Sequence, residues 1–210
     1  MRYRGRMIKL YGSPASTCTR KVLTVMEETR TPFEMNVVDL SKGEHKQKAH
    51  LDRQPFGQIP TIDDDGFTMF ESRAICRYLI GKAESTLVPR NPQSRATMDQ
   101  WVSVEQSNFS PHAMKFVYQY VFKRPQDPAV LEAANAMLEK CFAALSTPLA
   151  HGPFVVGETF TLADIVHMPY LEYLMMSPAK MTFDKYPHVV AWWDRVSARP
   201  SWRKVAGRTP

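Results

Sequence analysis

A chain of 210 residues with a hydrophobic share of 44% can bury a sizeable core, as one large domain or two ordinary ones, and no apolar run approaches the roughly 18 residues of a membrane span. The net charge of +6 comes from scattered Lys and Arg with no run of four, which suits anionic small molecules and argues against nucleic acid. Three widely spaced cysteines, Cys18, Cys76 and Cys141, form no CxxC pair, which argues against a disulfide framework and a metal site.

The first residues, Met1-Arg2-Tyr3-Arg4-Gly5-Arg6, are basic but lead into only five apolar-leaning residues, too few for a secretory leader; a cytoplasmic protein is expected. Met7-Ile8-Lys9-Leu10-Tyr11 predicts a short strand that Gly12-Ser13-Pro14 ends. Over 15–28, Val22, Leu23 and Met26 recur at helical spacing. Residues 33–38 predict a second strand with Phe33, Met35 and Val37 on one face. Ser41 can cap a short helix, with Glu44 completing a capping box. Ile59-Pro60-Thr61-Ile62 and Phe67-Thr68-Met69 flank Asp63-Asp64-Asp65-Gly66, whose Asp-Gly end favours a tight hairpin. A helix follows over 71–80. This βαβ-αββα order predicts a thioredoxin-like domain over 1–82, its first two strands parallel because a crossover helix joins them.

Residues 83–92 carry Ser85, Pro89, Asn91 and Pro92 and read as a linker, with Asn91 as cap and Pro92 in the first turn of the next helix. Everything over 93–210 reads as a second, all-helical domain, so the fold class is α/β plus all-α. Met98, Trp101, Val102, Glu105, Phe109, Phe116 and Tyr120 keep helical spacing along one long element that Pro111 should kink. Asp127-Pro128 caps the next helix, with Val130, Leu131, Ala134, Leu138, Cys141 and Leu145 on its inner face. In Thr161-Leu162-Ala163-Asp164 a capping box accounts for Asp164, and His167 on that helix reads as a core histidine. A last helix follows Tyr186-Pro187.

Four stretches together suit a small zwitterionic peptide that carries a thiol: Tyr11 to Ser16, Gly43 to Lys46, Gln54 to Pro60, and Phe70 to Ile75. Ser16, at a helix N-terminus, places a hydroxyl and helix-end polarity where an anionic sulfur would sit; it serves equally as a plain cap. Cys18 is a rival thiol, but residues two apart point to nearly opposite sides of a helix, whereas Ser16 and Arg20 share a face. A packed, inert Cys18 is expected. His45 and Lys46 suit a terminal carboxylate. A Pro60 entering an edge strand leaves the Ile59 backbone open to pair with an extended peptide, the Ile59-Pro60 bond being cis or ordinary trans. Glu71 and Ser72 suit an ammonium-and-carboxylate head, with Gln58 in support, or else form a capping pair. Met114, Tyr118 and Phe122 recur at i, i+4, i+8, a stripe that is either core or a permissive apolar pocket.

These residues resemble a glutathione transferase, and most of all its phi class, along 11–22, 43–60, 70–75, 161–174 and 186–205. Glu44-His45-Lys46 with Pro55-Phe56-Gly57-Gln58-Ile59-Pro60 is the discriminating part, and Ser16 with Arg20 agrees with the phi pattern rather than with the tyrosine of the alpha, mu and pi classes. The resemblance implies glutathione as co-substrate without a metal, a cis Ile59-Pro60 bond, and addition of the thiolate to hydrophobic electrophiles lying beside Ser16 against the helical domain. It also implies a homodimer, into whose partner Phe56 inserts unless it caps the core instead. Departures are Gln54, where the family usually has Asn, and Thr17-Cys18 directly after Ser16. Three functions compete: a conjugating enzyme with a further peroxidase activity, a carrier of apolar ligands or assembly module of the same fold, and a thiol transferase using Cys18.

Overall fold

The computed structural model describes residues 7–208, so the basic segment 1–6 lies outside the described residues. The described residues form two units, one ending at Ser85 and including 204–208, the other spanning Thr86–Arg203.

In the first unit, β1 (Ile8–Gly12), β2 (Phe33–Val37), β3 (Thr61–Asp64) and β4 (Phe67–Phe70) form a four-stranded sheet in the order β2-β1-β3-β4. The crossover α1 (Thr17–Thr29) makes β2 parallel to β1, while β3 pairs antiparallel with both β1 and β4. Ile8, Leu10 and Ile62 of the sheet are fully buried, as are Val22, Val25 and Met26 of α1 and Ile75 of α3 (Ser72–Lys82), which packs against α1. Asp65 and Gly66 both take positive φ, 54° and 92°, the primed hairpin turn that Asp-Gly favours, and Asp63 Oδ1 accepts the Gly66 N–H at 2.8 Å.

Val37 alternates with Phe33 and Met35 as read and is 63% exposed, because it ends an edge strand and period two fixes the side a residue faces, not what covers it. One expectation fails here: there is no capping box on Ser41. Asp39 takes that role: its N–H is accepted by Glu44 Oε2 at 2.7 Å, and its carboxylate accepts from the Ser41 hydroxyl at 2.6 Å. That hydroxyl bond is the main reason the Asp39 carboxyl lies below its ordinary range.

The second unit is helical. α4 (Pro92–Val104), capped by Asn91 Oδ1 on the Gln93 and Ser94 N–H groups, continues through a π-helical turn, Glu105–Phe109, into α5 (Ser110–Phe116) and a second π-helical turn, Val117–Val121. The interruption at Pro111 takes this form: the ring sits in the first turn of α5, where a missing N–H costs little, and the wider turn precedes it. α6 (Pro128–Leu149) buries Ala134, Leu138, Cys141 and Leu145 as its spacing predicts, but Val130 is exposed in the first turn. α7 (Leu162–Leu174) is buried all round, packed by α4, α5 and α9 (Pro187–Ser197), while α8 (Lys180–Phe183) packs on α6. A short α10 (Pro200–Val205) closes the chain.

The Thr161–Asp164 capping box is present, but Asp164 does more than cap. Its carboxylate accepts from four donors: Val155 N at 3.0 Å, Thr161 N at 2.8 Å, Thr161 Oγ1 at 3.2 Å and Trp192 Nε1 on α9 at 2.9 Å. Burial pushes its carboxyl above the ordinary range against the pull of those bonds. His167 is a core residue as read: Nδ1 donates to the Ala163 carbonyl at 2.8 Å, and its ring packs on Phe109. No described helix is long and apolar enough to cross a membrane, and no metal-fit cluster of three His, Cys, Asp or Glu occurs among the described residues.

Candidate active site

Sheet register brings most of the singled-out residues to one end of the first unit. Tyr11 pairs with Thr61, and Thr61 with Phe70, so the exit of β1, the entry of β3 and the exit of β4 share an edge. Ser16 follows the first, Ile59-Pro60 precedes the second, and Glu71-Ser72 follows the third.

Ser16 is the N-cap of α1, and its Oγ accepts the Thr19 N–H at 3.2 Å. Capping uses a lone pair and leaves the single hydroxyl hydrogen for another acceptor, so the two readings of Ser16 are compatible. The turn is tight: a Cβ on Gly12 would stand 2.7 Å from Thr19 Oγ1, and Arg20 Nε closes the turn onto the Pro14 carbonyl at 2.7 Å. Thr17, directly after Ser16, is buried. Cys18 is half-exposed rather than packed, contrary to expectation, because the first turn of α1 is only partly covered.

Ile59-Pro60 is cis; β3, which it enters, is an inner strand and not the expected edge strand, but pairing begins only at Thr61, and among the described residues the Ile59 backbone groups have no partner. Behind them lies a clamp that the sequence reading missed. Gln54, almost fully buried, accepts the Phe56 and Gln58 N–H groups on Oε1 at 2.7 and 3.3 Å. His50, also buried, meets the Gln58 carbonyl through Nε2 at 2.8 Å. A carbonyl partner requires the hydrogen on Nε2, and Nδ1 has no partner among the described residues. Both backbone polar groups of Gln58 are thus held from within, while its side chain points to solvent. The only sequence signal was a His and an amide at α-helical separation before Pro-Phe-Gly.

His45 and Lys46 sit on a 3-10 turn (Glu44–Lys46) against the same loop. Lys46 Nζ donates to the Phe56 carbonyl at 3.1 Å and keeps two hydrogens for a ligand; His45 Nδ1 has no partner among the described residues. Gly57 is required here, since its φ is 61° and a Cβ would stand 2.8 Å from both the His45 carbonyl and Lys46 Nζ.

Glu71 occupies the N-cap position of α3 at φ 72°, ψ 105°, a region costing roughly 1–3 kcal/mol for a residue with a side chain. Its carboxylate makes no cap bond, so the capping-pair alternative fails. Among the described residues neither that carboxylate nor the hydroxyl of buried Ser72 has a partner. An exposed acid beside an unused hydroxyl, at the N-terminal amides of an 11-residue helix, offers one acceptor for a cation and several donors for an anion.

In the helical unit, Met114 and Tyr118 are half-buried and Phe122 is 37% exposed, so the stripe is surface rather than core. The Tyr118 and Phe122 rings lie 6.4 Å apart, and Tyr173, which the spacing did not single out, meets Phe122 edge-on at 6.1 Å.

Residues 7–81 match the family model of the glutathione S-transferase N-terminal domain, and 109–200 that of the glutathione S-transferase C-terminal domain. Glutathione S-transferase PARB of Nicotiana tabacum is 36% identical over 204 residues, 94% of this chain and 96% of its own. Glutathione transferase F2 of Populus trichocarpa has a TM-score of 0.91 at 37% identity, covering 95% of this chain and 97% of its own. Glutathione S-transferase I from Mais, solved with an atrazine glutathione conjugate, has a TM-score of 0.89 at 31% identity, covering 96% and 97%.

Proposed function

Because the chain belongs to the glutathione S-transferase family, in its phi class, and uses glutathione as co-substrate, we propose that Ser16 activates the thiol and that the product is a conjugate with a hydrophobic electrophile. The observation that carries this reading is the row of unsatisfied groups on one sheet edge: the Ser16 hydroxyl hydrogen, the Ile59 backbone, Glu71 and Ser72. In it, Ile59 pairs with the cysteinyl backbone, Glu71 takes the γ-glutamyl ammonium, and Ser72 with the first amides of α3 takes the neighbouring carboxylate. Gln58 supports that end, and His45 and Lys46 hold the glycyl carboxylate.

A free thiol has a pKa near 8.5, and lowering it by one to two units needs about 1.4–2.7 kcal/mol of preference for the thiolate. One hydrogen bond to a charged acceptor supplies roughly 1.5–3 kcal/mol. Ser16 thus acts as donor, not nucleophile. The thiolate attacks the electrophilic carbon, the carbon–sulfur bond forms, the leaving group departs, and the thiol proton has already gone to solvent. With an organic hydroperoxide the same thiolate cleaves the O–O bond, releasing an alcohol, and a second glutathione converts the sulfenic acid to disulfide and water. Met114, Tyr118 and Phe122 supply the apolar surface for the electrophile. Phe56, 65% exposed and edge-on to Phe70 at 6.2 Å, is the anchor for a second copy of the chain in a homodimer.

The half-exposed Cys18 supports a second reading, thiol transfer through a mixed disulfide with glutathione. Conjugation of a chromogenic aryl halide by the wild type, Ser16→Ala and Cys18→Ala separates them. We expect Ser16→Ala to lose about 100-fold in kcat/KM, the scale of removing one donor from a developing or stabilised anion, and Cys18→Ala to lose little. The absorbance of bound thiolate against pH should show a titration at least one unit higher in Ser16→Ala than in the wild type. An unshifted titration rejects Ser16 as the donor. Dependence on Cys18 together with disulfide reduction selects the second reading, and glutathione binding with no conjugation by any variant indicates a carrier.

A further inference from the structure

Beyond the second π-helical turn the chain leaves its helix through Lys123, whose φ of 55° is a left-handed value uncommon for a residue with a side chain. That turn folds Arg124 back over the helix end. Its N–H donates to the Tyr118 carbonyl at 2.8 Å, and its own carbonyl accepts from Gln126 Nε2 at 3.1 Å. Gln119 Oε1 takes the Gln126 N–H at 2.7 Å, so the segment is tied down on both sides. The guanidinium carbon lies 5.8 Å from the centroid of the Tyr118 ring, within range of the attraction between a cation and an aromatic face. Lys123 points elsewhere, its ammonium donating to the Tyr120 carbonyl at 2.8 Å.

Arg124 is exposed, and among the described residues neither its guanidinium nor the Tyr118 hydroxyl has an ion-pair or hydrogen-bond partner. An unneutralised cation therefore stands at the border of an aromatic shelf made by Tyr118 and Phe122, with Phe122 backed edge-on by the buried Tyr173. We propose that this corner selects electrophiles that carry an anionic group, a carboxylate or a sulfonate, next to the ring or chain lying on the shelf. The proposal rests on the reading that Met114, Tyr118 and Phe122 supply the electrophile surface. A planar guanidinium matches a carboxylate through two parallel hydrogen bonds and still stacks on an aromatic ring, which a lysine does not do. An apolar electrophile without charge gains only the shelf.

The test compares a chloronitrobenzoate with its methyl ester. Both react by the same displacement, in which glutathione sulfur bonds to the ring carbon, the carbon–chlorine bond breaks and chloride leaves. Each kcat/KM is divided by the uncatalysed rate constant of the same compound, so that intrinsic reactivity cancels. The wild type should favour the carboxylate, and Arg124→Gln should lower the carboxylate-to-ester ratio about fivefold, the scale of an exposed charge pair, mainly through KM. Arg124→Lys should fall between, and added salt should erode the wild-type preference but not that of Arg124→Gln. A ratio that Arg124→Gln leaves unchanged overturns the proposal while the electrophile surface stands. If Tyr118→Ala alters KM for neither compound, the surface reading itself fails and the proposal goes with it.

Discussion

Asp164 and Glu71 are both acids at the start of a helix, α7 in one unit and α3 in the other, and their surroundings are opposites. Asp164 is sealed from water and accepts four hydrogen bonds, from a loop, from its own cap and from α9. Glu71 is exposed, makes no cap bond, has no partner among the described residues and sits at a backbone angle that resists its side chain. A folded chain pairs almost every polar group it can. Unpaired groups gathered at one place, and held there against backbone strain, therefore read as groups kept for a ligand, whereas a saturated acid reads as a structural tie.

The largest effect should come from breaking the tie. Asp164→Ala leaves the Trp192 indole, the Val155 and Thr161 amides and the Thr161 hydroxyl without their acceptor, and should cost about 4 kcal/mol. Urea unfolding followed by tryptophan fluorescence would measure it. A loss under about 1 kcal/mol, the range of ordinary surface acids, would erase the contrast with Glu71.

Which side of the contrast a residue falls on was only partly legible in the sequence. The Asp65-Gly66 hairpin and the Asn91, Asp127 and Thr161 caps were, because each is a bond between near neighbours in the chain. The Ser41 box was misread for an equally local reason: Asp39, two residues earlier, competes for the same donors. The exposure of Val37 and Val130 and the openness of Cys18 depend on what packs above them, which spacing does not encode. Asp164 was recognised through Thr161 but not through Trp192, 28 residues on. His50 was passed over because its partner is a backbone carbonyl, to which no residue type points. The residues of the candidate site edge are singled out as motifs in the sequence; their meeting at one edge comes from strand register.

His50 offers a smaller test, since it is a saturated contact that serves an unsaturated one. His50→Phe keeps the volume but removes the donor to the Gln58 carbonyl, loosening the backbone that presents Ile59. We expect KM for glutathione to rise about tenfold, the worth of one hydrogen bond near 1.4 kcal/mol, with a smaller change in kcat. His50→Gln, which retains a donor at similar reach, should recover most of the loss. Equal behaviour of the two variants would mean that His50 merely fills space.

The smallest effect, and the most direct test of the contrast, is at Glu71. If its backbone is held in a costly conformation for the sake of its carboxylate, stability and binding should separate. Glu71→Gly fits φ 72° without a Cβ, and after the entropic penalty of glycine it should gain about 1 kcal/mol in unfolding free energy. It should at the same time raise KM for glutathione, because the acceptor for the ammonium is gone. Glu71→Gln keeps the Cβ and loses the charge, so it should weaken binding with no gain in stability. Asp164 has no such pair of variants, since every change there removes acceptors that its neighbours need. A Glu71→Gly protein that is no more stable than the wild type would show that the angle at Glu71 costs nothing, and strain would no longer distinguish the two acids.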